Sequence, residues 1–223
     1  MSLYQRLLTE TAADRDYLLS APIVARCFTG DISVDNYVAF LTQAYHHVKH
    51  TVPLLMNVGA RLPESKEWLR EAVAEYIDDE MGHQEWVLND VQCSGGDKDL
   101  ARQSRPYFAT ELMVAYAYDL INRINPLGFF GMVHVLEGTS IAMADAAADA
   151  IQKALNLPDS AFSYLRSHGA LDQEHVKFFE GLMDRITDPE EQDLIVSSAS
   201  RFYRLYGDIY RSLDETSSLE QAA

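Results

Sequence analysis

The stretch "HGALDQEH" places His168, Asp172 and His175 four and three residues apart. At about 100° per residue, the three share one face of a helix. That face is otherwise apolar: Phe162, Leu165, Val176, Phe179, Leu182, Met183 and Ile186 form a stripe, and the three ionisable groups sit in its middle. The same interruption occurs twice more. Glu80 and His83 of "DDEMGHQEW" fall inside a stripe of Val73, Tyr76, Ile77, Val87 and Val91, and Glu137 of "HVLEGTS" interrupts Phe129, Phe130, Val133, Leu136, Ile141 and Ala144. Each of three helices therefore sends charged or imidazole groups towards a core.

An isolated buried carboxylate is costly, so proteins pair it, protonate it or bind a metal with it. Three imidazoles and three carboxylates combine nitrogen with hard oxygen donors, a set that suits iron or manganese, and six donors suffice for two ions with open positions. Inward Glu together with Glu-x-x-His is the pattern of di-metal carboxylate sites in helix bundles. A structural zinc site favours four ligands, often with Cys, and fits poorly. The competing reading is a buried His–carboxylate network without metal, and Glu80 with His83, taken alone, reads equally well as a surface i,i+3 pair. In "AYHHVKHTVP", His46, His47 and His50 cannot all face one way; one of His47 and His50 is expected to approach the site, with His46 off it. His134, three residues before Glu137, is left outside the ligand set. Tyr45, Tyr76, Tyr116 and Tyr118 read as core, although a Tyr beside a metal is able to donate a hydrogen bond to a bound oxygen species.

Helical periodicity dominates, with no alternating strand pattern, and it predicts an all-α single domain of about seven helices. They run over about 3–19, 33–61, 64–92, 106–124, 127–155, 159–186 and from 189 onward. Asp31 or Ser33 caps the second, and Pro53 is expected to kink it. "CSGGDKDLARQS" reads as a polar loop, "NPLG" as a break, and Asp188 as the cap before a helix-starting Pro189. The last helix carries a stripe of Phe202, Tyr206, Ile209 and Leu213. The domain is expected to span 1–213, and 214–223 to form a disordered tail.

With 223 residues and 48% hydrophobic content, the chain is long enough for a substantial core. A net charge of −16 argues against nucleic-acid or anionic-membrane partners. No apolar run looks long enough to span a bilayer, and the N-terminus lacks a signal-peptide core. Cys27 and Cys93 are far apart, with no CxxC, so a cytoplasmic location is expected. The acidic chain with aromatics on its last helix is expected to form a homodimer.

With these residues in place, the chain resembles the haem oxygenase-like superfamily over about 3–213. That group includes thiaminase II, the oxidase of pyrroloquinoline quinone biosynthesis and non-haem dimetal oxidases and oxygenases. It looks most like the dimetal branch, whose signature would correspond here to Glu80 and His83, then Glu137, then His168, Asp172 and His175. Relatives can carry a carboxylate two turns before the His of the third helix, where this chain has Tyr76. The resemblance implies an O2-dependent oxidase or oxygenase with iron, two ions or an iron–manganese pair, no haem, and a small organic substrate. Haem oxygenases place a proximal His on an N-terminal helix, yet the first histidine here is His46. Thiaminase II needs a nucleophilic Cys on the fifth helix, where this chain reads "LEGTSIAMA". A non-catalytic metal or small-molecule binding protein and a cofactor-salvage hydrolase are the alternative functions.

Overall fold

The computed structural model describes residues 1–220, without the side chains of 168–175 and 215–220. The described residues are helical, with no strand among them. Helices α1 (Leu3–Glu10) and α2 (Ala12–Leu19) replace the single helix expected over 3–19; they part at Thr11, whose backbone leaves the helical range. Helix α3 (Pro22–Thr29) was not anticipated, although Pro22 at its first position and left-handed Gly30 after its end are the ordinary start and stop signals.

The helix expected over 33–61 is two: α4 (Val34–Val48), closed at its start by a Ser33–Asn36 capping box, and α5 (Thr51–Arg61). Pro53 does not kink a continuous helix. It lies in the first turn of α5, where a missing N–H costs nothing, and the chain breaks before it at Lys49–His50. The third expected helix also divides, into α6 (Glu67–Glu80) and α7 (His83–Cys93). A short α8 (Lys98–Gln103), capped by Asp97, interrupts the expected polar loop. Helix α9 (Phe108–Asp119) runs into a π-helical turn over Leu120–Ile124. Then come α10 (Phe129–Leu155), α11 (Ser163–Met183) and α12 (Pro189–Glu220).

Helix α10 is the axis of the bundle, packed by α3, α11 and α12, while α5 pairs with α6, α4 with α7, and α12 with α2 and α9. A helix covered on several sides must be apolar on several sides. Pro126–Leu155 is in consequence long and apolar enough to cross a bilayer, contrary to the sequence expectation, with 61% of its most apolar window buried inside the protein. The stripe on α12 is buried as expected at Phe202, Tyr206, Ile209 and Leu213. On α10, Ile141 is an exception to the expected buried face, at 39% exposure.

The core divides into two large apolar clusters. One gathers Leu54, Val73, Tyr76, Phe130, Val133, Phe179 and Phe202; the other gathers Tyr37, Val48, Val87, Ala144, Phe162 and Leu165. Six stretches of chain pass from one cluster to the other, and Glu80, His83 and Glu137 lie on two of them.

Candidate metal centre

Helix α6 leaves the first cluster after Tyr76 and Ile77, and α7 enters the second at Val87. Between them lie Glu80, the last residue of α6, and His83, the first of α7. The Glu-x-x-His pair is therefore not carried on one continuous helix. The chain breaks at Met81–Gly82, with Gly82 at φ 94°, a left-handed conformation that only glycine adopts readily. The break still brings the pair together: His83 Nδ1 is 3.0 Å from Glu80 Oε2. His83 is 2% exposed, and the Glu80 side chain 17%. The surface-pair reading fails for that reason.

Helix α10 crosses between Leu136 and Ala144 and carries Glu137 there, buried. Glu80 and Glu137 line one cavity together with His47, Tyr76, Leu55, Met132 and Tyr206. Of the two histidines expected to compete for this place, His47 takes it, its ring 5.8 Å from and perpendicular to that of Tyr206. His50 turns instead to the Tyr118 hydroxyl, 3.1 Å away. Tyr76 lines the cavity as a core residue against Phe178, with ring centroids 5.6 Å apart.

His46 points elsewhere: Nε2 meets Ser104 Oγ at 2.9 Å and Nδ1 meets Lys49 Nζ at 3.1 Å. An ammonium has only donors, so Nδ1 accepts and Nε2–H donates to the serine. Burial, then the Lys49 and His50 charges, push the His46 pKa down to about 4.

Helix α11 belongs to the second cluster up to Leu165 and to the first from Phe178. The interval contains His168, Asp172 and His175, which lie outside the described residues. What fixes the start of that helix is visible and was not read from the sequence. Asp90 of α7, fully buried, accepts from the Ser163 backbone N–H at 3.2 Å and hydroxyl through Oδ1, and from the Tyr164 N–H at 2.8 Å through Oδ2. These are donors of the first turn of α11, which lack intrahelical partners. Desolvation raises the Asp90 pKa, against these three hydrogen bonds, which lower it. A cap supplied from 73 residues away leaves no local signature.

The donor set suits a hard or borderline metal. Glu80 and His83 meet in a buried region, and Glu137 from a third helix lines a cavity together with Glu80. The 3.0 Å between His83 Nδ1 and Glu80 Oε2 is also the separation of adjacent donors on one octahedral ion with bonds of about 2.1 Å. Among the described residues, no group of three His, Cys, Asp or Glu is close enough to hold an ion.

A family model described as iron-containing redox enzyme matches residues 38–207, a span that includes all six candidate ligands. The chain belongs to that family. Solved structures show that the chain has the heme oxygenase-like fold. A domain of unknown function with that fold, from Shewanella denitrificans OS217, superposes with TM-score 0.88 at 23% identity, over 98% of this chain and 94% of that one. A TenA homolog from Pseudomonas syringae pv. tomato DC3000 gives 0.79 at 9% identity, over 96% and 93%. The heme oxygenase from Leptospira interrogans gives 0.72 at 17%, over 95% and 100%. No curated protein sequence matches the chain.

Proposed function

We propose that this protein is a non-haem iron, O2-dependent oxidase or oxygenase acting on a small organic substrate. One observation carries the reading: Glu80 and Glu137, from different helices, line the same cavity, and Glu80 meets the buried His83. Glu80, His83 and Glu137 would hold iron together with His168, Asp172 and His175, in a one- or two-ion centre with manganese as the alternative metal. Bound iron supplies the one-electron chemistry that O2 requires. The chain's own part is to fix the donors and to keep water out. The cavity walls do the latter, being largely apolar at Leu55, Phe129, Met132 and Val133. At Ser140, Tyr164 and Tyr206 the cavity adjoins a second apolar one that reaches Tyr37, Met143 and Ile151, which favours an organic substrate with an apolar part.

The non-haem reading is supported by the absence of any histidine before His46, since His46 itself is held by Ser104 and Lys49. A thiaminase-like reading lacks its nucleophile. Cys27 lines the second cavity from α3, not from α10, and burial pushes its thiol up to about 11, away from the reactive thiolate.

The test is anaerobic loading of the metal-free full chain with Fe(II), reading iron per chain and O2 uptake. Glu80→Gln, Glu137→Gln and Asp172→Asn each remove a charge at nearly constant shape and are expected to weaken iron retention at least about tenfold, with the helical fold kept. His46→Ala keeps its iron. A wild-type chain that retains no iron overturns the reading, as does a Glu137→Gln protein that binds iron like the wild type while His46→Ala loses it. Iron retained without any O2 uptake favours the non-catalytic metal-binding protein.

A further inference from the structure

Glu137 has a second neighbourhood. On the other side of α10 a cavity of about 270 Å³ lies between α1, α2, α11 and α12, and among the described residues it shares only Glu137 with the cavity that also holds Glu80. Its polar lining is unlike that of a core void. Tyr4, Arg15, His134 and Tyr203 come from four different helices. His134 is 5% exposed, and its Nε2 has no hydrogen-bond partner among the described residues. Three rings hold it in place: Tyr4 and Tyr203 edge-on at 6.2 and 6.0 Å, and Phe179 stacked at 6.0 Å. A buried imidazole nitrogen left unsatisfied costs about 1–3 kcal/mol, and a fold tolerates that where something else satisfies the atom.

Arg15 gives the sign of that partner. In a chain of net charge −16, most arginines have a carboxylate within reach, yet the Arg15 guanidinium makes no ion pair or hydrogen bond among the described residues. Its charge is close enough to lower the pKa of both His134 and Tyr203, behind burial in the first case and against it in the second. The rest of the lining is apolar, from Leu8, Leu19, Ile141 and Phe179. The floor is kept open by Gly138, where an added Cβ meets only the Tyr203 hydroxyl, at 4.0 Å. Among the described residues Glu137 is the acid in the lining, and it lies on the side of the candidate metal centre.

We propose that this cavity is a binding site for a small organic carboxylate. Arg15 holds the carboxylate, the Tyr4 and Tyr203 hydroxyls and His134 Nε2–H supply further donors, and the apolar body of the ligand packs on Leu8, Leu19 and Phe179. A guanidinium matches a planar carboxylate with two parallel hydrogen bonds. The neutral imidazole donates without adding charge. The site goes beyond the oxidase reading and does not depend on it, because none of its four donors belongs to the candidate ligand set.

The test uses benzoate as probe and benzamide as its neutral counterpart, titrated calorimetrically into the full chain with and without iron. Benzoate is expected to bind one site in both forms, and benzamide at least about tenfold more weakly. The 15N shift of His134 Nε2 should move on addition of benzoate. Arg15→Gln is expected to weaken benzoate at least about tenfold, and Gly138→Leu to abolish binding by filling the floor. If Gly138→Leu fails to fold, Arg15→Gln decides alone, since that side chain makes no structural bond. Equal binding of the two probes, no binding of benzoate, unchanged binding to Arg15→Gln, or binding that needs iron overturns the proposal.

Discussion

Gly131 offers the sharpest test of how the bundle holds Glu137. It lies on α10 six residues before Glu137, about 9 Å along the helix, where α10 packs tightly against α12. A Cβ added there meets Ser198 Oγ at 2.2 Å, the Ala199 backbone nitrogen at 2.6 Å and the Ile195 carbonyl oxygen at 2.9 Å. Two of those atoms are backbone and cannot rotate away. The Ser198 hydroxyl also donates to the Gly128 carbonyl at 2.7 Å, a bond that would be displaced. Gly131→Ala therefore carries an overpacking cost of about 1–3 kcal/mol and a lost buried hydrogen bond of about 1 kcal/mol. Ala is the better helix former by about 1 kcal/mol, which leaves a net destabilisation of about 2 kcal/mol. For a chain of this size that lowers Tm by about 4–8 °C. Gly181 on α11 is the matched control, with nothing within 4 Å of its added Cβ. Gly181→Ala should raise stability by about 0.5–1 kcal/mol through helix propensity alone. Both are measured by thermal and urea unfolding of the full chain. Adding Ser198→Ala to Gly131→Ala should recover part of the loss, since one of the three clashes is then gone. Equal stability of Gly131→Ala and Gly181→Ala would refute the close-approach argument, whereas full iron retention by a Gly131→Ala protein that unfolds about 4–8 °C early would refute only the idea that this packing holds Glu137.

Two further tests bear on the site and its surroundings. Gly82→Ala should cost about 1–2 kcal/mol, because no neighbour lies within 4 Å of the added Cβ and the φ of 94° alone opposes it; iron retention should fall with it, as Glu80 and His83 lose their register. His46, whose pKa is pushed down to about 4, gives stability that is complete above its unfolded value near 6.5 and is lost as pH falls from there towards 4, by at most about 3 kcal/mol. His46→Gln keeps a donor and an acceptor without titrating, so urea unfolding between those pH values should show a flatter slope; an unchanged slope sinks the assignment.

The all-helical class and the inward direction of Glu80, His83 and Glu137 were legible because apolar periodicity on α6, α7 and α10 is strong. The break at Gly82 was not legible by the same means. Val73 and Tyr76 on one side and His83, Val87 and Val91 on the other keep one phase, since Tyr76 and His83 are seven residues, about two turns, apart. A helix broken and restarted in phase looks continuous in sequence. The Gly itself was the available signal, as were Pro22 and Gly30 for α3. Two other features had no local trace at all. Asp90 caps α11 across 73 residues, and the role of His134 depends on Arg15 of α2 and Tyr203 of α12, distant in the chain and adjacent only in the bundle.

The two-part core explains why polar groups at the centre of an apolar bundle are tolerable. A buried carboxylate inside either cluster would face hydrocarbon on every side. At the seam each faces other polar groups brought there by the same crossing: Glu80 has His83 within hydrogen-bond distance, and Glu137 shares its cavity with Glu80 and His47. The seam also lets the donors arrive on separate elements, α6, α7 and α10, each anchored in apolar packing on both sides of the crossing. Rigid anchoring of that kind holds donors at fixed separations without requiring them to be stable as a metal-free ion-pair network. The bundle supplies the energy of assembly, and the seam gathers Glu80, His83, Glu137 and His47 where the two apolar clusters meet.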